Sequence, residues 1–234
     1  PDVKVKVTAI PWSSAHDKLQ TAIAAGNGPD LAQMGTTWMA DFSNSFSTVP
    51  DNLDMSDFSD GSRAAGQVDG KQLGVPWYID TRVLYYRTDM FAEVGYTESP
   101  KTWDEFMDAL RKVKEKFNID PFIFELSGGQ ANHLALMSLI NNGTGACKYD
   151  AENNVVSAMS DESALHMYDY WIQMYQEGLV PKSLSSYKRT DLTKIYLDGQ
   201  AAVIIHDMAQ DLAADPEIAA VTGVMDVLTG PDTD

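Results

Sequence analysis

The chain has 234 residues, of which 44% are hydrophobic, enough to bury the cores of one large or two small domains. Its 17 basic and 34 acidic residues give a formal net charge of −17, which disfavours binding to nucleic acid or to anionic lipid surfaces. The apolar runs of the sequence are far shorter than the ~20 residues of a spanning helix, so we expect no direct membrane insertion. The single cysteine, Cys147, excludes an intramolecular disulfide and has no histidine nearby, which predicts a buried or incidental thiol.

The first third of the chain alternates predicted strands and helices. Residues 3–10 alternate apolar and polar side chains, which predicts a strand with one covered face. A helix is predicted over 14–26, a short strand over 31–34 and a second helix over 36–42. Residues 69–70, Asp-Gly, predict the tight turn of a hairpin. This order of elements is typical of a parallel sheet covered by helices.

The rest of the chain continues the alternation. A capping box at Thr102–Glu105 predicts the start of a helix that ends near Phe117. A long helix is predicted between Asp161 and Gly178, with one apolar face formed by Leu165, Tyr168, Ile172 and Tyr175. The other predicted elements are a buried strand over 121–125, helices over 132–139 and 190–198, a core strand over 201–205 and a strand over 224–228.

An irregular stretch over 48–66 carries four aspartates spaced three residues apart, Asp51, Asp54, Asp57 and Asp60. The alternate ligand positions, central glycine and terminal glutamate of an EF-hand loop are absent, which favours a solvated acidic segment over a calcium site. The sequence also lacks the phosphate-binding, dinucleotide-binding, zinc-protease and serine-hydrolase motifs. We therefore expect neither a metal site nor a cofactor.

The ends of the predicted strands carry polar and aromatic residues. In open α/β sheets, the carboxyl ends of the strands line the ligand crevice. The candidate ligand-binding residues, taken from these ends and from the Asp-Thr-Arg interruption of one strand, are Trp12, Thr36, Thr37, Trp38, Asp80, Arg82, Glu125, Gln130, His206 and Asp207.

These side-chain types suit a sugar ligand. Carboxylates and arginine can each bond two adjacent hydroxyls, and charge-assisted hydrogen bonds are worth roughly 1.5–3 kcal/mol. An aromatic ring covers the apolar C–H face of a sugar and adds on the order of 1 kcal/mol beyond burial. Structural roles are alternatives at single positions, with Trp12 and Trp38 in the core, Asp207 as a helix cap and Arg82 in an ion pair.

Four segments resemble a known family. They are Gly-Pro-Asp at 28–30, the run Val-Pro-Trp-Tyr-Ile-Asp-Thr-Arg-Val-Leu-Tyr-Tyr-Arg-Thr-Asp-Met-Phe at 75–91, Pro-Lys-Thr-Trp-Asp-Glu-Phe at 100–106 and Leu-Asp-Gly-Gln-Ala-Ala-Val at 197–203. Together they resemble the family 1, maltose-binding-protein-like, sugar-binding type of ABC-transporter extracellular solute-binding proteins. The resemblance covers essentially the whole chain, and its second and third segments are the most specific.

The resemblance implies an α/β, two-lobed periplasmic-binding-protein-like fold of type II, with ligand trapped in the cleft as the lobes close. It implies a partial first lobe at 1–79, a hinge crossing at 80–82 and a second lobe at 83–228. Residues 229–234 would start the second crossing and the return to the first lobe. Matched in this way, the sequence is expected to be truncated at both ends.

The resemblance also assigns roles to several candidates. Asp80 falls where relatives place a carboxylate that takes sugar hydroxyls, with Arg82 two residues further on. The segment 34–38 corresponds to a first-lobe binding loop, but Gly-Thr-Thr-Trp replaces the usual residues, which puts a maltodextrin ligand in doubt. Gln130 lies near an aromatic position of the second-lobe site. His206 begins a segment that lacks the usual stacking tryptophan, which leaves Trp12 as the alternative platform.

The function implied by the resemblance is that of a binding protein, not an enzyme. We expect an extracytoplasmic monomer, in a periplasm or lipid-anchored on the outer face of the cell membrane. It would bind a mono- or oligosaccharide and deliver it to the permease subunits of an ABC importer. One alternative is a glycoside hydrolase that uses two of Asp80, Glu125 and Asp207 as acid and base. The other is the same binding fold with a peptide, polyamine or metal chelate as ligand.

Overall fold

The computed structural model describes residues 3–79, 82–126 and 129–233. The chain divides into two compact units, residues 1–80 and residues 81–234. None of the helices in the described ranges has the length and apolar composition needed to span a membrane.

The first unit is mostly helical and irregular. Helix α1 spans Trp12–Ala24 and helix α2 spans Asp60–Ala64, with short 3-10 turns at Thr36–Trp38 and Ser43–Ser45. Strands β1 (Gln67–Val68) and β2 (Lys71–Gln72) form a two-stranded antiparallel hairpin. The buried apolar side chains of the unit are Ala15 and Leu19 from α1 together with Met39 and Phe42.

The predicted hairpin turn is confirmed. Asp69 and Gly70 adopt φ values of 49° and 73°, so both lie in the left-handed region. Two consecutive residues with positive φ are what a type I′ turn requires, which explains the choice of Asp-Gly between the two short strands.

The strand predicted over residues 3–10 is wrong. These residues form no strand, and the alternating Val3, Val5 and Val7 are 79–86% exposed. The strand predicted over 31–34 is absent too. Alternation fixes which side chains share a face, but a strand also needs a hydrogen-bonded neighbour. Within residues 3–79, the hairpin β1–β2 is the only sheet.

The second unit contains helices and strands that follow one another along the chain. The elements in chain order are β3 (Val83–Arg87), α3 (Thr88–Glu93), α4 (Trp103–Phe117), β4 (Phe122–Phe124), α5 (Gly129–Ile140), β5 (Cys147–Tyr149), β6 (Val155–Ser157), α6 (Glu162–Gln176), α7 (Arg189–Leu197), β7 (Val203–His206), α8 (Ala209–Ala214), α9 (Pro216–Ala220) and β8 (Thr222–Val224).

The second unit is built on a four-stranded sheet with the strand order β4-β7-β3-β8. Strand β4 pairs in parallel with β7, whereas β3 pairs antiparallel with both β7 and β8. The expected parallel sheet is therefore confined to one strand pair.

Helix α4 begins at the predicted cap. The Thr102 hydroxyl oxygen accepts a hydrogen bond from the Glu105 amide at 3.2 Å. The Glu105 carboxylate in turn accepts from the amide of Lys101 at 2.8 Å, one residue earlier than in the usual capping box. The helix ends at Asn118, whose φ of 52° is left-handed.

Helix α6 buries a different face from the one that the sequence predicts. Leu165, Ile172 and Tyr175 are 50–55% exposed. The buried residues are Ala164, Met167 and Met174, and they pack into the core of the second unit. Apolar side chains surround much of this helix, so periodicity alone does not decide which stripe faces the sheet.

The hairpin of β5 and β6 was not expected from the sequence, and Cys147 lies on it as an exposed free thiol. The last strand, β8, covers 222–224 instead of the predicted 224–228.

Candidate functional site

The strand register gathers four candidate residues at one edge of the second-unit sheet. Val83 at the start of β3 lies opposite His206 at the end of β7. Phe124 at the end of β4 lies opposite Ile205. Because β3 runs antiparallel to the other two strands, its beginning meets their ends. Arg82, Glu125, His206 and Asp207 therefore lie at the same edge, and we call them the edge cluster.

His206 is the most buried member of the edge cluster, with 5% of its surface exposed. Its Nδ1 atom is buried and lies 3.0 Å from Oδ1 of Asp207. The two atoms are not aligned for a hydrogen bond, so Nδ1 has no hydrogen-bond partner among the described residues. Burial, followed by the positive charge of Arg189, lowers the pKa of His206. The imidazole is therefore neutral at pH 7.

Asp207 is held by a residue that the sequence did not single out. Nη1 of Arg189, the first residue of α7, lies 2.5 Å from Oδ1 of Asp207. Burial alone would raise the pKa of Asp207, but the hydrogen bond and the charge of Arg189 outweigh it and lower this pKa. Arg189 and the His206 ring therefore both lie against the same oxygen of Asp207, Oδ1.

One feature of the sequence could have indicated Arg189. A cation in the first turn of a helix opposes the helix dipole, so its presence there suggests a carboxylate partner. The identity of the partner depends on the fold, because Asp207 follows a strand that comes after the helix.

Tyr85 also belongs near this edge, although the sequence did not indicate it as a binding residue. Burial, followed by the negative charge of Asp207, raises the pKa of its hydroxyl. The backbone amide of Met208 acts in the opposite direction by hydrogen-bonding to Tyr85. The edge therefore combines a carboxylate, an imidazole, a guanidinium and a phenol, which together offer both hydrogen-bond donors and acceptors.

Glu125 and Arg82 are half-buried. The charge of Glu125 acts on His206 in the direction opposite to burial. Two further candidates cannot be placed in this cluster. Asp80 lies outside the described residues. Gln130 is the second residue of α5, and the structure does not describe its side chain.

The remaining four candidates come together in the first unit. The rings of Trp12 and Trp38 lie with centroids 5.2 Å apart and planes tilted by 58°. Trp12, the first residue of α1, is 52% exposed, so the alternative in which its ring is part of the core is wrong. Trp38 is half-buried and ends the 3-10 turn that also carries the exposed Thr36 and Thr37.

His16 supports the tryptophan pair from inside the first unit. Its ring makes an edge contact with Trp38, at 5.2 Å between centroids and 77° between planes. Its Nε2 atom lies 3.2 Å from Oδ2 of Asp41. Gly35 gives Trp38 the room that it needs, because a Cβ at that position would lie 3.2 Å from the indole ring.

Within the described ranges, no three histidine, cysteine, aspartate or glutamate side chains are arranged to hold a metal ion.

Comparison with known proteins places the chain in a family. The family model of the bacterial extracellular solute-binding protein matches residues 1–232. The galactooligosaccharide-binding protein of Bacillus subtilis (strain 168) is 26% identical over 221 residues, 87% of this chain and 48% of that protein. The diacetylchitobiose binding protein DasA of Streptomyces coelicolor is 32% identical over 123 residues, 50% of this chain and 29% of that protein.

Solved structures show the same fold. The maltose-bound MalE3 of T. maritima matches with a TM-score of 0.79 at 25% identity, over 94% of this chain and 57% of that one. The chain spans about half the length of the curated relatives that it matches over most of its own length. The α/β periplasmic-binding-protein-like fold and the sugar-binding-protein resemblance expected from the sequence are confirmed. The chain belongs to the family of bacterial extracellular solute-binding proteins.

Proposed function

We propose that the chain is the carbohydrate-binding component of an ABC importer. It binds a mono- or oligosaccharide outside the cytoplasm and delivers it to the permease subunits without altering it. The observation that carries this proposal is the arrangement at the edge cluster, where the neighbouring Arg189 contacts Oδ1 of Asp207 beside the neutral ring of His206.

The edge cluster matches the hydrogen-bonding needs of a sugar. A sugar hydroxyl is both a donor and an acceptor, so it needs acceptors such as the Asp207 carboxylate and donors such as a guanidinium or a phenol. A hydrogen bond from a hydroxyl to an ionised carboxylate is worth roughly 1.5–3 kcal/mol. Because Arg189 keeps the pKa of Asp207 low, the carboxylate stays charged and ready to accept in mildly acidic as well as neutral conditions.

The tryptophan pair matches the other property of a sugar, its apolar C–H face. The half-exposed ring of Trp12 lies against Trp38 and is thereby fixed in orientation. A rigid ring loses little conformational freedom when a sugar stacks on it, and such a contact adds on the order of 1 kcal/mol beyond burial. The pair is therefore a platform on which the apolar face of a sugar can stack.

Relatives support the ligand class but not a particular sugar. Those named above bind galactooligosaccharide, diacetylchitobiose and maltose, three different neutral carbohydrates. The family is extracellular, and within it we propose a monomer that is either free in a periplasm or lipid-anchored.

Asp207 does not suit the role of general acid in the hydrolase alternative. A general acid at neutral pH needs a carboxyl group with a raised pKa, whereas the pKa of Asp207 is lowered. The same experiment that tests the proposal also tests this alternative.

The test is a ligand panel with two readouts. Neutral mono- and oligosaccharides, short peptides and polyamines are added to the protein, and the melting temperature and tryptophan fluorescence are measured. We expect at least one carbohydrate to raise the melting temperature and to be recovered uncleaved by chromatography. A response to a peptide or polyamine alone, or cleavage of the bound sugar, would overturn the proposal.

A further inference from the structure

The last described segment of the chain, residues 229–233, is bound to the second unit by backbone hydrogen bonds. The Thr229 amide donates to the carbonyl of Lys101 at 2.9 Å, and the Thr229 carbonyl accepts from the amide of Trp103 at 3.2 Å. The Gly230 amide then donates to the carbonyl of Asn141 at 3.3 Å. The segment therefore joins the start of α4 to the end of α5.

A fully buried side chain continues this attachment. Nδ2 of Asn142 donates to the carbonyl of Ser163 at 2.6 Å and to Oδ2 of Asp232 at 2.8 Å. Oδ1 of Asn142 accepts from the Asp232 amide at 3.3 Å. Asn142 is 0% exposed, so these three bonds satisfy an amide that would otherwise be costly to bury. The amide thus links α6 to the segment.

Gly230 makes the close approach possible. A Cβ added to Gly230 would lie 1.6 Å from Oδ1 of Asn142, far inside van der Waals contact. Only glycine lets the backbone pass over the Asn142 amide at this distance. The fit between these two residues is therefore specific to glycine.

His166 of α6 adds an ionisable contact. Its Nδ1 atom lies 2.8 Å from Oδ2 of Asp232, the same oxygen that accepts from Asn142. The hydrogen bond to Asp232 raises the pKa of His166, and the hydrogen bond from His166 lowers the pKa of Asp232. Other ionisable groups also surround this pair. The negative charges of Glu162 and Asp169, both on α6, act on His166 and raise its pKa. The hydroxyl of Tyr170 donates a hydrogen bond to Asp104 of α4, and the charge of Asp232 helps to raise the pKa of Tyr170.

We propose that Asn142, His166 and Asp232 form a pH-dependent latch that holds residues 229–233 on the second unit and loosens when His166 loses its proton. In the domain assignment made from the sequence, residues 229–231 begin the second crossing between lobes. The latch would then make this part of the crossing move as part of the second unit. That consequence rests on the proposed function, whereas the latch itself does not.

The direction of the pH effect follows from the two pKa changes. The pKa of His166 is raised, so its charge contributes fully below the ordinary value of 6.5 and is lost as the pH rises through the raised value. The pKa of Asp232 is lowered from 3.8, so its charge is present above 3.8 and is lost only as the pH falls through the lowered value. The latch is therefore tightest in the mildly acidic range between these limits.

The test is hydrogen–deuterium exchange of the amides in residues 229–233, measured on the protein without ligand and corrected for the intrinsic effect of pH. We expect protection to fall by about twofold to fivefold between pH 6 and pH 8.5, the range typical of an exposed ion pair. His166→Gln, which keeps a neutral hydrogen-bond donor, should remove this pH dependence. Asp232→Asn should do the same, whereas Asp198→Asn, which removes a surface carboxylate paired with Lys194, should leave it unchanged.

Gly230→Ala tests the backbone fit separately. We expect it to abolish protection of residues 229–233 at both pH values while the amides of β3 and β7 stay protected. The latch is refuted if the wild-type segment is unprotected at both pH values. It is also refuted if the corrected protection does not change with pH, or if it changes equally in His166→Gln. None of these outcomes depends on whether the protein binds a carbohydrate.

Discussion

Nη1 of Arg189 lies 2.5 Å from Oδ1 of Asp207, and this contact joins the first residue of a helix to the residue that follows the next strand. This ion pair holds the Asp207 carboxylate in one position, where it can accept a hydrogen bond from a ligand. Both residues are partly exposed, with side-chain exposures of 52% and 31%, so the pair contributes little to stability. We propose that the pair serves ligand binding, because its contribution to folding is small.

Asp207→Asn should weaken carbohydrate binding. The substitution keeps the size of the side chain but removes the charge that strengthens a hydrogen bond from a sugar hydroxyl, so we expect about a tenfold or larger rise in Kd. Isothermal titration calorimetry with the sugar that binds in the ligand panel measures this Kd. Asp198→Asn is the matched control and should bind like the wild type. Equal affinities of Asp207→Asn and the wild type would remove Asp207 from the site.

Arg189 should act on binding through Asp207, which the pH profile can show. Arg189→Gln removes the interaction that lowers the pKa of Asp207, so the acid limb of the affinity profile should move to higher pH. Arg189→Lys should restore most of the wild-type profile because it keeps the charge. The control is Arg111→Gln, which breaks the ion pair with Glu177 elsewhere in the same unit. An unmoved acid limb in Arg189→Gln would show that Arg189 does not position Asp207.

Trp12→Ala should remove the aromatic platform of the first unit. We expect about a fivefold rise in Kd, equivalent to the roughly 1 kcal/mol that a stacking contact adds, and Trp12→Phe should retain most of the affinity. Fluorescence and calorimetric titrations measure both. Trp77→Ala, which removes another exposed tryptophan of the same unit, is the control. Full affinity in Trp12→Ala would assign the ring a structural role.

Asp80→Ala should weaken binding by at least about tenfold if this residue takes sugar hydroxyls as the family resemblance implies. The measurement is again the affinity for the panel sugar, with Asp57→Ala, at an exposed aspartate of the first unit, as a control substitution of the same type. Unchanged affinity in Asp80→Ala would exclude Asp80 from the site.

Features set by neighbouring residues were predictable from the sequence. The cap at Thr102 and the turn at Asp69–Gly70 depend on side chains and backbone conformations within a few residues, and both are confirmed. The strand predicted over 3–10 failed because strand formation depends on a partner that the local pattern does not specify.

The contacts within the candidate sites also depend on residues that are distant in the sequence. Trp12 and Trp38 were both identified as candidates, but their ring contact joins residues 26 positions apart and depends on how α1 packs. Arg189 was missed because its partner becomes evident only when β7 ends beside the start of α7. The predicted strand ends at Glu125 and His206 were close to the observed ones, whereas Trp12 and Trp38 were selected from predicted strands that do not form. The fold determined which of these residues meet.

The most direct measurement is a crystal structure of the protein with the panel sugar bound. We predict a sugar hydroxyl at hydrogen-bond distance, about 2.5–3.0 Å, from a carboxylate oxygen of Asp207, with Arg189 still paired to that carboxylate. A sugar bound elsewhere on the protein, with no contact to Asp207, would contradict the assignment of the edge cluster as the carbohydrate site.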